Sequence, residues 1–238
     1  MRVTIHQPEF APWLGFFHKA SLADSLILLN DVQFRKNYFQ NRNRIRNARG
    51  TSWITVPVER SSLSTKISEV RIAATTNPQW AQRIGSTVTQ AYHQASYFES
   101  IFAEFSTHLM QAGDSLVDVN IPLLRWMLHE FGQTCKVLLS SSLAVNSTGS
   151  QRILDLCLAA GAETYVSGIS GRDYLDLKEF ERAGIRIEFQ QFHHPVYNQL
   201  HSGFVPQISA LEVLFLFGPS SSQLLQPNWP ERLETVFA

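Results

Sequence analysis

The chain has 238 residues, 44% of them apolar and 17% charged, and its 20 Lys+Arg balance 20 Asp+Glu to a formal net charge of zero. With 16 Phe, 5 Trp and 6 Tyr to build a core, this composition excludes a disordered chain, and the zero balance excludes a polycation binding nucleic acid through bulk charge. The length suits a single α/β domain over 1–238. The balance is uneven, however: Arg35, Lys36, Arg42, Arg44, Arg46 and Arg49 fall close together with no acid among them.

In chain order, Arg2 to His6 alternates as a strand, Leu14 to Ala23 fits a helix, and Ser25 to Asn30 reads as a buried strand. The basic segment follows and Gly50 closes it. Trp53 to Val58 and Ile67 to Ile72 are rich in β-branched residues and read as strands. Asn77-Pro78 supplies a cap and first-turn proline for a helix through about Ala91. Further helices fit Tyr97 to Met110 and Ser115 to Phe131, with Pro122 in the first turn of the latter or kinking it. Then strands at Lys136–Ser140, Thr164–Ser167 and Arg186–Phe192 alternate with helices at Ser150–Ala160 and Asp173–Ala183, which Gly161 and Gly184 end. This alternation predicts an α/β fold. Its sheet is mostly parallel, flanked by helices and built from both ends of the chain, with a helical insert at about residues 74 to 132. No apolar run reaches the ~20 residues of a membrane helix. The N-terminus shows no signal-peptide pattern, and Cys135 and Cys157 read as small buried hydrophobes. A cytoplasmic protein is the expectation.

Ligands of open parallel sheets bind outside the carboxyl ends of the strands. The predicted strands end in His6-Gln7-Pro8, Ser140-Ser141-Ser142, Ser167-Gly168-Ile169-Ser170-Gly171-Arg172-Asp173 and His193-His194-Pro195. In V-S-G-I-S-G-R-D-Y, Ser167, Gly168 and Ser170 form a strand–helix turn that can present N–H groups to an anion, with Arg172 as a guanidinium fork. H-Q-P-E-F-A-P-W-L-G-F-F-H-K-A places His6 at a strand end and His18 on a helix. It resembles the first motif of nucleotidyltransferase-type proteins, although the H-x-G-H pair is absent. Glu9 reads as an exposed loop carboxylate, with an acid or base acting from the loop as the alternative. D-V-Q-F-R-K-N-Y-F-Q-N-R-N-R-I-R interleaves Phe34, Tyr38 and Phe39 with cations, which suits nucleic acid or a smaller anion such as a nucleotide-sugar diphosphate. If extended, it puts Arg42, Arg44 and Arg46 on one face. His193, His194 and His201 match no zinc spacing, so no metal site is expected.

Several blocks together resemble the WbqC-like protein family: the H-Q-P-E-F segment above, N-D-V-Q-F-R-K-N-Y-F-Q-N-R-N, W-I-T-V-P-V, Y-V-S-G-I-S-G-R-D-Y-L, and H-P-V-Y-N-Q-L-H-S-G-F-V-P-Q-I-S-A-L-E-V-L-F-L-F-G. The resemblance spans nearly the whole chain. It adds Lys36, Gln40, Asn41, His194 and Tyr197 to the candidate site. Glu212 and Phe217 stand where the family tends to carry Asp and Asn. The resemblance implies a bacterial protein of surface-polysaccharide (O-antigen-type) or small-molecule biosynthesis. The expected activity is group transfer on a nucleotide-activated or otherwise anionic substrate. Arg42, Arg44 and the Ser167–Arg172 turn would bind the anion, His6 or His18 would act as acid, base or charge stabiliser, and Gln7, Gln40 and Asn41 would orient the substrate. A nucleotide or nucleotide-sugar is the expected small molecule. An RNA- or tRNA-binding protein and a non-catalytic scaffold are the alternatives.

Overall fold

The computed structural model describes residues 1–226. Five parallel strands form one sheet: β1 (Arg2–His6), β2 (Ser25–Leu28), β5 (Lys136–Leu139), β6 (Thr164–Ser167) and β7 (Arg186–Phe189), in the order β5-β2-β1-β6-β7. β2 is buried along its whole length, as an inner parallel strand covered on both faces must be. Its side chains alternate between two cores. Leu26 and Leu28 join a large apolar cluster on one face, while Ile27 joins Val3 and Ile5 in a smaller cluster on the other.

Helix α1 (Leu14–Ser21) crosses from β1 to β2 on the large-core side. On that side also lie α2 (Trp80–Tyr92), α3 (Phe98–Met110), α4 (Leu116–Glu130) and α7 (Leu211–Phe217). Helices α5 (Gly149–Ala159) and α6 (Leu177–Arg182) carry the connections β5 to β6 and β6 to β7, and they pack on the smaller cluster. Gly161 and Gly184 have φ of 70° and 72°, the left-handed conformation that ends a helix most easily with glycine. No helix among the described residues is long and apolar enough to cross a membrane.

The basic segment stays outside the sheet. It forms a separate antiparallel hairpin, β3 (Arg42–Asn47) with β4 (Gly50–Thr55), in which Arg42 faces Thr55 and Arg46 faces Thr51. Asn43 and Ile45 are buried between the arginines, so the period-2 reading of Arg42, Arg44 and Arg46 holds.

Several expected boundaries move. Ile67–Ile72 is not a strand. Its Ile67, Val70 and Ile72 are buried as separate anchors around a 3-10 turn at Ile67–Glu69, and only isolated bridges such as Val58 with Ile72 form. Tertiary burial overrides β-propensity there. The Trp53–Val58 strand starts earlier and ends at Thr55, before Pro57, which has no N–H to donate. Asn77-Pro78 forms a turn ahead of α2 and does not cap it, since Trp80 N donates to Asn77 O. Pro122 lies well inside α4, beyond its first turn. Arg186–Phe192 ends as a strand at Phe189. The Asp173–Ala183 helix divides into a 3-10 turn at Ile169–Asp173 and α6, which Asp176 caps. Cys157 is buried, its thiol pushed up to about 12 by desolvation, and Cys135 is half-buried.

Candidate functional site

Strand order reverses at β1. The chain grows outward through β2 to β5, then returns to the other side of β1 with β6 and β7. A crevice must open between the carboxyl ends of β1 and β6, because their connections leave on opposite faces of the sheet. A cleft of about 610 Å³ lies there, lined by His6 from β1, Trp13, Gly15, Phe16 and Lys19 from the start of α1 and its helix, Gly168–Ser170 after β6, and Gln190–His193 after β7. Of the sequence candidates it gathers His6, Gly168 and Ser170.

Lys19 is the group that sequence reading missed. It follows F-F-H on a helix almost wholly buried, and is itself only 6% exposed. Its Nζ donates to Ile5 O at 3.0 Å and to no other acceptor among the described residues, and it forms no ion pair. Desolvation lowers the ammonium to about 8 despite the attraction of Glu9. Glu9 is not the exposed carboxylate expected. It is buried, and desolvation raises it to about 7 against the pull of Lys19. The signal was a lysine within an apolar helical run; only the fold says that this face turns inward.

His6 stands in the same wall, edge-on to Phe16 at 4.9 Å between ring centroids. Its Nδ1 meets Gln7 O at 3.0 Å, so Nδ1 carries the proton and Nε2 keeps its lone pair. Burial and the nearby Lys19 charge lower the imidazole to about 3. His6 is therefore neutral at pH 7, a base rather than a charge-stabilising imidazolium. His18 lies behind the lining. Gln190 Nε2 donates to both Gly15 O and His18 Nδ1 at 2.8 Å. His18 is thereby fixed as the Nε2–H tautomer, and burial lowers it too.

Two glycines shape the walls. A Cβ on Gly15 would lie 2.3 Å from the Trp13 indole, and one on Gly171 would lie 2.1 Å from Ser167 Oγ. Gly168 differs, with an ordinary φ of −67° and no atom within 4 Å of a Cβ placed there. Ser167 is buried and donates to Gly168 O. Because α6 starts only at Leu177, the turn does not sit at the N-terminus of an α-helix. Arg172 leans over Phe189, 4.6 Å from its centroid, and is not part of the lining.

The remaining candidates hold the loop after β1 or lie apart. Gln40 Nε2 donates to Gln7 Oε1 at 2.7 Å, and Gln40 Oε1 accepts from Arg35 N. Asn41 ties itself to Val56 O, and Asn120 ties Gln40 O to Pro8 O. These buried amides satisfy backbone that would otherwise be orphaned. His194 stacks against Trp13 and Tyr197, and Tyr197 is buried beside Glu212. Both back the cleft's aromatic wall. Lys36, Arg42 and Arg44 do not line this cleft. Asp31, Ser140 and Arg152 interlock at the β2 and β5 ends, with Arg152 Nη2 donating to both carboxylate oxygens of Asp31 at 2.7 and 2.8 Å. No group of three or more His, Cys, Asp or Glu among the described residues is placed to hold a metal ion.

The sequence profile of the WbqC-like protein family matches residues 7–224. A Mycobacterium tuberculosis protein described as "Uncharacterized protein Rv1507c" is 31% identical over 228 residues, covering 94% of this chain and 97% of that protein. No solved structure matches.

Proposed function

The chain belongs to the WbqC-like protein family, and from that premise we propose that it is a group-transfer enzyme for a nucleotide-activated or otherwise anionic substrate in surface-polysaccharide or small-molecule biosynthesis. One observation carries this reading: a buried ammonium, Lys19, with no ion pair among the described residues, lines the crevice at the point where strand order reverses. Burying such a charge is costly, and an anionic ligand would offset that cost.

In this reading Lys19 binds the phosphate or carboxylate of the donor, and the Gly168–Ser170 turn flanks it. Trp13 and Phe192 supply the apolar wall for the remainder. His6 Nε2 accepts the proton of the attacking hydroxyl or amine as the new bond to the transferred group forms. The bond to the phosphate leaving group breaks, and Lys19 holds the released charge. The bound anion raises the imidazole from about 3 toward its ordinary range, which makes it a better base once substrate is present. Gln7, Gln40 and Asn41 are positioning residues that hold the loop carrying Glu9.

The test is native mass spectrometry of co-purifying ligand, followed by calorimetry with nucleotide-sugars on wild-type, Lys19→Met and His6→Ala proteins. Anion binding lost in Lys19→Met, and turnover lost but binding kept in His6→Ala, are expected. If both variants fold and retain full biosynthetic output, the chain is a scaffold and the reading fails.

A further inference from the structure

The basic segment has a face of its own, away from the cleft. From Val32 to Val58, and again from Val70 to Phe98, the chain contains no Asp or Glu. The fold brings these two stretches together: the hairpin and α2 share a groove of about 300 Å³ lined by Trp53, Thr55, Asn77, Trp80, Arg83 and Thr87. Exposed aromatic surface continues from it. Trp53 is 45% exposed and Tyr38 45%, and Phe39 bridges them, 6.2 Å from Trp53 and 5.2 Å from Tyr38 between centroids.

Four cations of this face form no ion pair among the described residues. Arg42 Cζ lies over Trp53, 4.1 Å from the ring centroid, and among the described residues the side chain makes no hydrogen bond or ion pair. Arg35 and Lys36 are exposed and form no ion pair. Arg83 reaches only Asn77 Oδ1, at 3.5 Å. The third hairpin arginine, Arg46, is spent on backbone carbonyls of Asn47, Gly50 and Ser202. Exposed aromatic rings among unpaired cations, with no acid in either stretch, fit a partner that is polyanionic and has flat faces. Rings alone would fit many apolar partners, and cations alone any polyanion. Their alternation on one surface selects a strand that offers both.

We infer that the hairpin–α2 face binds a single-stranded nucleic acid, with bases stacked on Tyr38, Phe39 and Trp53 and phosphates paired to Arg35, Lys36, Arg42 and Arg83. This is a binding function separate from the cleft, and it does not depend on what the cleft does.

The test is fluorescence anisotropy with labelled oligo(rU), oligo(rA) and oligo(dT) dodecamers across a series of KCl concentrations. Affinity should fall steeply with salt, and Lys36→Ala and Arg83→Ala should each reduce the log–log slope by about 0.7. Trp53→Ala should weaken binding about tenfold, and Trp53→Phe, which keeps a ring, should restore most of it. Circular dichroism of both variants separates lost stacking from lost folding. Bound RNA should also quench tryptophan fluorescence in the wild type more than in Trp53→Phe. Absence of binding at 50 mM KCl would overturn the inference. So would equal competition by dextran sulfate or by duplex RNA, or identical affinity of the wild type, Trp53→Ala and Trp53→Phe.

Discussion

Replacing Lys19 by Met should make the protein more stable while abolishing anion binding. The ammonium falls from 10.5 to about 8 on folding, chiefly through desolvation, and at 1.36 kcal/mol per pH unit that is a cost of about 3 kcal/mol. Methionine has nearly the same length and carries no charge, so it escapes this cost. It forfeits the bond to Ile5 O, worth about 1 kcal/mol. Glu9, at about 7, can keep its proton when the neighbouring charge is gone, so no orphaned carboxylate results. The net gain is about 2 kcal/mol, or a Tm higher by about 4–8 °C for a chain of this size. The pH dependence follows from the direction of the shift. Below pH 8 the lysine is charged in both states and carries the full cost. Between about 8 and 10.5 the unfolded state binds the extra proton, so wild-type stability rises with pH and the advantage of Met shrinks. Thermal unfolding of both proteins at pH 7 and pH 10 measures this. A Tm for Lys19→Met below wild type at pH 7, or a difference that does not narrow toward pH 10, would refute the argument.

Glu9→Gln should match wild type below pH 4.5 and become progressively more stable than it up to pH 7. The native carboxyl, raised to about 7, holds a proton that the unfolded one has released, and urea titrations along this range would record the divergence. The two glycines after β6 should part company. Gly171→Ala forces a Cβ onto Ser167 Oγ and should cost about 1–3 kcal/mol, whereas Gly168→Ala should lie within about 1 kcal/mol of wild type; calorimetric scans would tell them apart. Gly15→Ala should displace the Trp13 indole from the cleft wall, seen as a shift in tryptophan emission, and should weaken ligand affinity.

The rim of the sheet was legible because each parallel strand ends in polar or glycine residues that a core strand would not carry, as His6-Gln7 and Ser167-Gly168 do. Where the rim opens was not legible, since it depends on strand order. Placing β6 beside β1 brings Gly168 to His6, while β5 carries Ser140 off toward Asp31 and Arg152. Lys19 and Glu9 stayed hidden because a lysine or glutamate is solvated by default, and only the packing of α1 and of the loop before it turns them inward. The basic segment was readable as cationic and extended. That its arginines leave the cleft could not be read, because β3 pairs locally with β4 and never joins the sheet. Local signals in Ile67–Ile72 misled for the same reason: burial, not pairing, selected its branched residues.

The position of β1 at the centre of the sheet also sets a timetable. One neighbour, β2, follows within about twenty residues, but the other, β6, comes only at Thr164–Ser167. At about 5–20 residues per second on the ribosome, one edge of β1 waits some 8–30 s for its partner. An unpaired strand edge is a template for wrong pairing. The second wall of the cleft, from the segments after β6 and β7, thus arrives long after His6 has emerged. Cells that synthesise it slowly, or stall before β6, should accumulate it as aggregate.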